Sequence, residues 1–392
     1  MNRWAGLIVV AMLVLTGGIA GNAPADEYKL GVSATMTGPV AGTFAPSQEG
    51  LRIYIDRLND RGGVNGRKIN LVSLDNRGEP SRAVSDSKRL VEEESVLSLI
   101  SVGSSATYAP MVAAAKKSRT PLVFLGSSVC PGEVYPPKPD PYMFCSSFNM
   151  LGPDSRALVH YMKELSGAKK AKVGLVAMDV PVSREGVDLI EKYAKEGGLE
   201  VVGKVAIPGG TADLAPFATR FTGAGATMVS HWAPFELAVA MFTSLNKQGW
   251  TGNYLATASA LAETNAAKFR QENFYVAPTY SFSVEGLPTF REIADAAKKY
   301  KNTYPVEGLT LGWVGGFVIE DALKRCGWPC SSEKLRDALE NVKVDTQGLY
   351  GGALDWSAQN HVRSAAYYRL YHWDSGRNRI VRVKDWLKIS IE

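Results

Sequence analysis

Three loops hold most of the hydroxyl chemistry in this sequence. Ser33-Ala34-Thr35-Met36-Thr37-Gly38-Pro39-Val40-Ala41-Gly42 follows one apolar run, Gly103-Ser104-Ser105-Ala106-Thr107 a second, and Gly126-Ser127-Ser128 a third. Hydroxyls beside the free N–H groups of a helix start make a natural anion site. The small residues among them let a carboxylate come close to the backbone. Helix capping alone explains any one such loop; three on one sheet edge point to binding of a small carboxylated ligand.

Catalysis has little to work with. The four histidines, His160, His231, His361 and His372, form no metalloprotease helix motif, and the sequence holds no Gly-x-Ser-x-Gly elbow. Gly223-Ala224-Gly225 precedes a strand rather than a helix, so a dinucleotide loop is excluded. The expectation is a protein that binds without catalysing, with no metal and no cofactor. The cysteines fall as two local pairs, Cys130 with Cys145 and Cys326 with Cys330, without zinc spacing, and are expected as disulfides. In the chain-entropy view, closing the longer loop contributes about 3 kcal/mol.

The elements that must position these loops alternate. Tyr28–Val32 reads as a buried strand, and Leu51, Tyr54, Ile55 and Leu58 form the stripe of an amphipathic helix. Strands at 69–74, 97–102 and 121–125 follow, separated by helical patterns, which indicates a parallel, doubly wound sheet. Residues 130–153 are proline-rich and break the rhythm. It resumes with a helix at 158–165 and strands at 172–177, 199–206, 226–230 and 254–257. Helices are expected over 289–301 and 308–326. The strands 366–373 and 379–383, joined by Asp374-Ser375-Gly376-Arg377-Asn378, then form a hairpin that must pair with something already built.

The N-terminus reads as a secretory signal peptide over residues 1–25: Arg3, an apolar run from Leu7 to Leu15, then small residues ending Ala23-Pro24-Ala25. Cleavage near Ala25 and a periplasmic, soluble mature chain are expected, with no lipid anchor. Lys and Arg number 44 against 39 Asp and Glu, and the two signs are interleaved, so no nucleic-acid face emerges. The length suits about two domains.

Ordered along the chain, Thr37-Gly38-Pro39-Val40-Ala41, Gly50-Leu51-Arg52, Gly62-Gly63-Val64-Asn65-Gly66, Asp75-Asn76-Arg77-Gly78-Glu79-Pro80, Gly103-Ser104-Ser105-Ala106-Thr107 and Gly351-Gly352-Ala353-Leu354-Asp355-Trp356 form a recognisable set. The chain resembles the type I periplasmic binding proteins, in the leucine/isoleucine/valine-binding-protein-like group. The resemblance implies two α/β lobes, 26–148 plus 283–364 and 149–282 plus 365–392, joined by three crossings. It further implies a monomer that closes on a solute and delivers it to the permease of an ABC importer. Thr37, Ser104, Ser105, Ala106, Thr107, Ser127 and Ser128 fall where such proteins grip a carboxylate. The second lobe departs from the pattern. Ser183 stands where an aromatic is common, the loop after 226–230 reads His231-Trp232-Ala233-Pro234, and Thr257-Ala258-Ser259 replaces the expected acid. The carboxylate site is kept and the ammonium site is lost, unless Asp179 serves as its partner. His231 and Trp232 then offer a wall for an aromatic ring, with Ser183 and Ser259 nearby, although a core or hinge role suits Trp232 equally. An aromatic or apolar monocarboxylate is the favoured ligand. Branched-chain or other amino acids, or a sensor feeding a signalling receptor, are the alternatives.

Overall fold

The computed structural model describes residues 27–126, 129–146, 149–167, 170–258 and 261–391. The signal peptide and Ser127, Ser128 and Ser259 lie outside the described residues. Strands β1 (Tyr28–Ala34), β2 (Ile69–Asp75), β3 (Ser98–Val102), β4 (Leu122–Phe124) and β5 (Met143–Cys145) form one parallel sheet in the order β2-β1-β3-β4-β5. Helices α1 (Ala41–Asp60), α2 (Pro80–Lys88) and α3 (Tyr108–Ser118) connect them. Tyr28, Leu30, Val32 and Ala34 are fully buried, as is Ser33 between them. Strands β3 and β4 are likewise buried on both faces, so the centre of the sheet reads as near-continuous apolar runs.

Past α4 (Leu151–Ser166) a second sheet forms from β6 (Lys172–Met178), β7 (Glu200–Ile207), β8 (Met228–Trp232), β9 (Asn253–Thr257) and β10 (Phe274–Ala277), with α5 (Pro181–Glu196), α6 (Ala215–Gly223), α7 (Phe235–Lys247) and α8 (Ala262–Phe269) between them. These strands are parallel. Helices α9 (Pro288–Lys299), α10 (Val306–Cys326) and α11 (Ser332–Leu339) come next, and α10 packs on α1 beside the first sheet. The approach is close: a Cβ on Gly50 would overlap the Leu309 carbonyl, and one on Gly312 the Ser47 carbonyl. Only glycine lets the two helix backbones meet there.

After the two-residue pair β11 (Lys343–Val344) and β12 (Leu354–Asp355), β13 (Ala365–Asp374) and β14 (Arg379–Ser390) form the expected hairpin. It docks antiparallel on β10, giving the order β14-β13-β10-β9-β8-β6-β7. The chain therefore passes between the two layers three times, in a type I periplasmic-binding architecture.

Two details differ from expectation. Helix α4 starts at Leu151 rather than Leu158, with Pro153 in its first turn, where a missing N–H breaks no helical bond. Strand β8 continues through His231 and Trp232, which pair with Val176 and Ala177 of β6, so neither is a loop residue. The cysteines stand as the bonded pairs Cys130–Cys145 and Cys326–Cys330, with Cα atoms 5.7 and 5.6 Å apart.

Candidate functional site

A cavity of about 440 Å³ lies between the carboxyl ends of the two sheets, the expected place for a ligand in open parallel sheets. One wall comes from the start of α1 (Val40, Thr43, Phe44) and the β3–α3 turn (Ser104, Ser105, Ala106). The facing wall comes from the end of β6 and start of α5 (Met178 to Ser183, omitting Asp179), the end of β8 through the start of α7 (Trp232 to Phe235) and the end of β9 (Thr257, Ala258). Val129 and Asn149 close one side.

The β3–α3 turn is built around Ser104. Its side chain accepts the Ala106 N–H at 3.3 Å, and its carbonyl accepts the Thr107 N–H at 3.0 Å and the Thr107 hydroxyl at 2.8 Å. Ser105 and Ala106 are thereby presented to the cavity. Thr107 itself is fully buried and faces away, its hydroxyl consumed in holding the turn.

Thr37 is also placed elsewhere. Its N–H (3.2 Å) and hydroxyl (2.5 Å) both bind the Asp75 carboxylate, which also accepts the Met36 and Arg77 N–H groups. Burial works against the Asp75 charge, yet these donors hold it below the usual carboxylate range. Thr37 thus pins the β1 loop to the end of β2. Beneath it Thr35 donates to Asn76 at 2.8 Å, and Asn76 donates to Ser33 at 3.0 Å. The two signature loops are the two halves of one brace.

His231 and Trp232 separate. Successive strand residues point to opposite faces, and only Trp232 reaches the cavity. His231 is fully buried in β8, its Nε2 3.4 Å from the hydroxyl of Thr257, which does line the cavity. Burial lowers its pKa to about 3, so the imidazole is neutral and supports the wall from behind. The indole of Trp232 lies across α5, where a Cβ on Gly186 would overlap the ring. Ser183 sits in the cavity wall on the first turn of α5, itself largely buried.

Among the described residues, no ionisable side chain lines this cavity. Two acids close to the lining residues in sequence are engaged elsewhere. Asp179 forms an ion pair with Arg184. Glu263 is buried and accepts from the Ser283 hydroxyl at 2.9 Å and the Val284 N–H at 3.0 Å, tying α8 to the second crossing. Glu307, at the start of α10, accepts the Thr264 N–H at 2.7 Å beside it. Burial first, then the neighbouring Glu263 charge, raises its pKa to about 8.

Thr43, Phe44, Asn149, Met178 and Phe235 line the cavity without having been anticipated. Thr43 and Phe44 were within reach, because they directly follow Gly42, the last residue of the first hydroxyl-bearing loop. Asn149 lies in the proline-rich crossing, which carries no periodicity to read.

Two opposed α/β sheets with a chambered cleft at their carboxyl edges define a solute-binding protein. Residues 27–378 match the family described as periplasmic binding protein, and the chain belongs to it. It is 25% identical over 381 residues, 92% of each chain, to the Leu/Ile/Val-binding protein homolog 7 of Brucella suis biovar 1. Its fold is similar to that of a branched chain amino acid ABC transporter protein from Thermus thermophilus with bound valine (TM-score 0.79, 19% identity, 93% of this chain and 97% of that one). It is also similar to an ABC transporter solute binding protein from Rhodopseudomonas palustris BisB5 in complex with 3,4-dihydroxy benzoic acid (TM-score 0.77, 16% identity, 93% and 98%). No helix among the described residues is long and apolar enough to cross a membrane.

Proposed function

We propose that the protein captures an aromatic or apolar monocarboxylate in the periplasm and hands it to the permease of an ABC importer. The observation that carries this reading is the cavity lining, which among the described residues offers hydroxyls, an amide and apolar surface but no charge. Burying an unpaired ammonium there would cost several kcal/mol. A carboxylate is served by the hydroxyls and N–H groups around Ser104, Ser105 and Ala106; Ser127, Ser128 and Ser259 belong to this reading on the sequence alone. The indole of Trp232 supplies a flat face for a ring. The dihydroxybenzoate held by the Rhodopseudomonas protein supports a ligand of this class in this fold.

The lobes that close on the ligand are 26–148 plus 283–364 and 149–282 plus 365–392, in a monomer released from its signal peptide near Ala25. Amino-acid capture is the second reading. It is favoured by the valine in the Thermus structure and by the position of Asp179 between the lining residues Met178 and Val180. Calorimetric titration of ligand-free protein with leucine, phenylalanine, benzoate and a phenylpropenoate separates the two. Binding of an aromatic acid without leucine is expected. Tight leucine binding with no response to the acids overturns the proposal.

A further inference from the structure

A second chamber of about 660 Å³ lies beside the cleft, and Val129 and Val182 belong to the walls of both. On its far side it is bounded by Pro131 and Tyr135 of the disulfide loop, Leu151 of α4, and Leu189 and Tyr193 of α5. Charged side chains stand only in its wall: Glu185, and Arg156, which donates to the Ser390 carbonyl at 2.6 Å.

We infer that Val129 and Val182 form a passage rather than a partition, and that the chamber takes an apolar chain carried by the acid whose carboxylate sits in the cleft. The inference rests on the monocarboxylate reading above and specifies its substrate class as aryl- or alkyl-alkanoates longer than a single ring.

Three observations support it. The chamber's roof is fixed, because the Cys130–Cys145 bond and the Asp140 N–H to Glu133 carbonyl (2.7 Å) and His361 N–H to Val134 carbonyl (3.1 Å) bonds hold the loop. Its rims are kept clear by Gly132 and Gly152, where nothing stands within 4 Å of the place a Cβ would occupy. Its lining residues are mostly apolar or aromatic, which suits methylenes, with Arg156 and Glu185 the charged exceptions.

The test is a homologous series: benzoate, phenylacetate, phenylpropanoate, phenylbutanoate and phenylhexanoate, with decanoate and leucine alongside, titrated by calorimetry. Once the chain reaches the passage, each added methylene should tighten binding about fourfold, the value of one buried CH₂. Gly152→Phe, and Gly132→Phe from the opposite rim, should remove that gain while leaving benzoate affinity as in the parent. The retained benzoate binding shows that each variant is folded. If affinity stays flat or falls with length, or if filling the chamber leaves the long acids unaffected, the passage is refuted while the monocarboxylate reading stands. If leucine binds and no acid does, both fall.

Discussion

The indole of Trp232 rests on Gly186, one helix turn beyond Ser183, with no room between them for a side chain. That contact sets how far the ring projects into the cleft. A β-carbon at 186 must push the indole toward the ligand or push α5 away from the sheet. Gly186→Ala is therefore expected to weaken aromatic-acid binding and to destabilise the fold by about 1–3 kcal/mol, the usual cost of overpacking. Trp232→Ala should weaken the same ligands by about 1–3 kcal/mol through lost ring burial. Titration and thermal melts of both variants check this; an unchanged affinity in Trp232→Ala would remove the ring from the cleft wall.

Ser105 tests the carboxylate end. Ser105→Ala should cost about 1.5–3 kcal/mol, the range for a hydrogen bond to a charged group. The corresponding amide ligand, lacking the charge, should lose less. Equal losses for acid and amide would argue that Ser105 shapes the wall and does not grip the anion.

Asp179 discriminates between ligand classes. Its carboxylate is occupied by Arg184, so Asp179→Asn should leave aromatic-acid affinity unchanged. An ammonium partner would behave otherwise, and a large loss of affinity for an amino acid in this variant would place Asp179 in the site.

The buried acids at the second crossing predict a pH dependence. The Glu307 carboxyl has an ordinary value of 4.5 and a folded value of about 8, raised by burial and by Glu263. The folded state then binds more protons than the unfolded chain between these values, and stability falls as pH rises through that window. Buried Asp154, also raised to about 8 by desolvation, acts in the same direction. Glu307→Gln keeps an acceptor for the Thr264 N–H and supplies a donor to Glu263 without the titration. Melting temperatures from pH 5 to 9 should fall less steeply in this variant than in the parent. Identical slopes would mean that Glu307 does not carry a proton in the fold.

Peptide mapping without reduction should recover Cys130–Cys145 and Cys326–Cys330. Replacing the first pair by serine should cost about 2–4 kcal/mol, and by loosening the chamber's roof it should affect long acids more than benzoate.

The sequence carried the parts of the site that depend on local pattern. Alternating strands and helices located the carboxyl edges, and Ser104, Ser105 and Ala106 emerged because a helix start after a strand is visible in one dimension. What it could not carry was partnership across distance. Thr37 and Ser105 look alike as hydroxyls after a strand, and only the arrival of Asp75 beside Thr37 separates a brace from a binding group. His231 and Trp232 looked like a pair because the end of β8 is unmarked; once both belong to the strand, alternation sends them to opposite faces. The second chamber needed the segments 129–135, 151–156 and 182–193 together with Ile391, none of which contains a motif.

The docking of β13 on β10 has a kinetic side. Until Tyr371 and His372 meet Val276 and Tyr275, the second sheet ends in an open row of backbone donors and acceptors, and α1 in turn waits for the distant α10. Neither half of the molecule is a contiguous stretch of chain that can fold as it emerges. Contacts this remote in sequence make folding slow. The same delay exposes an unpaired strand edge prone to pair with other chains, so truncations before residue 365 should aggregate rather than yield a smaller binding protein.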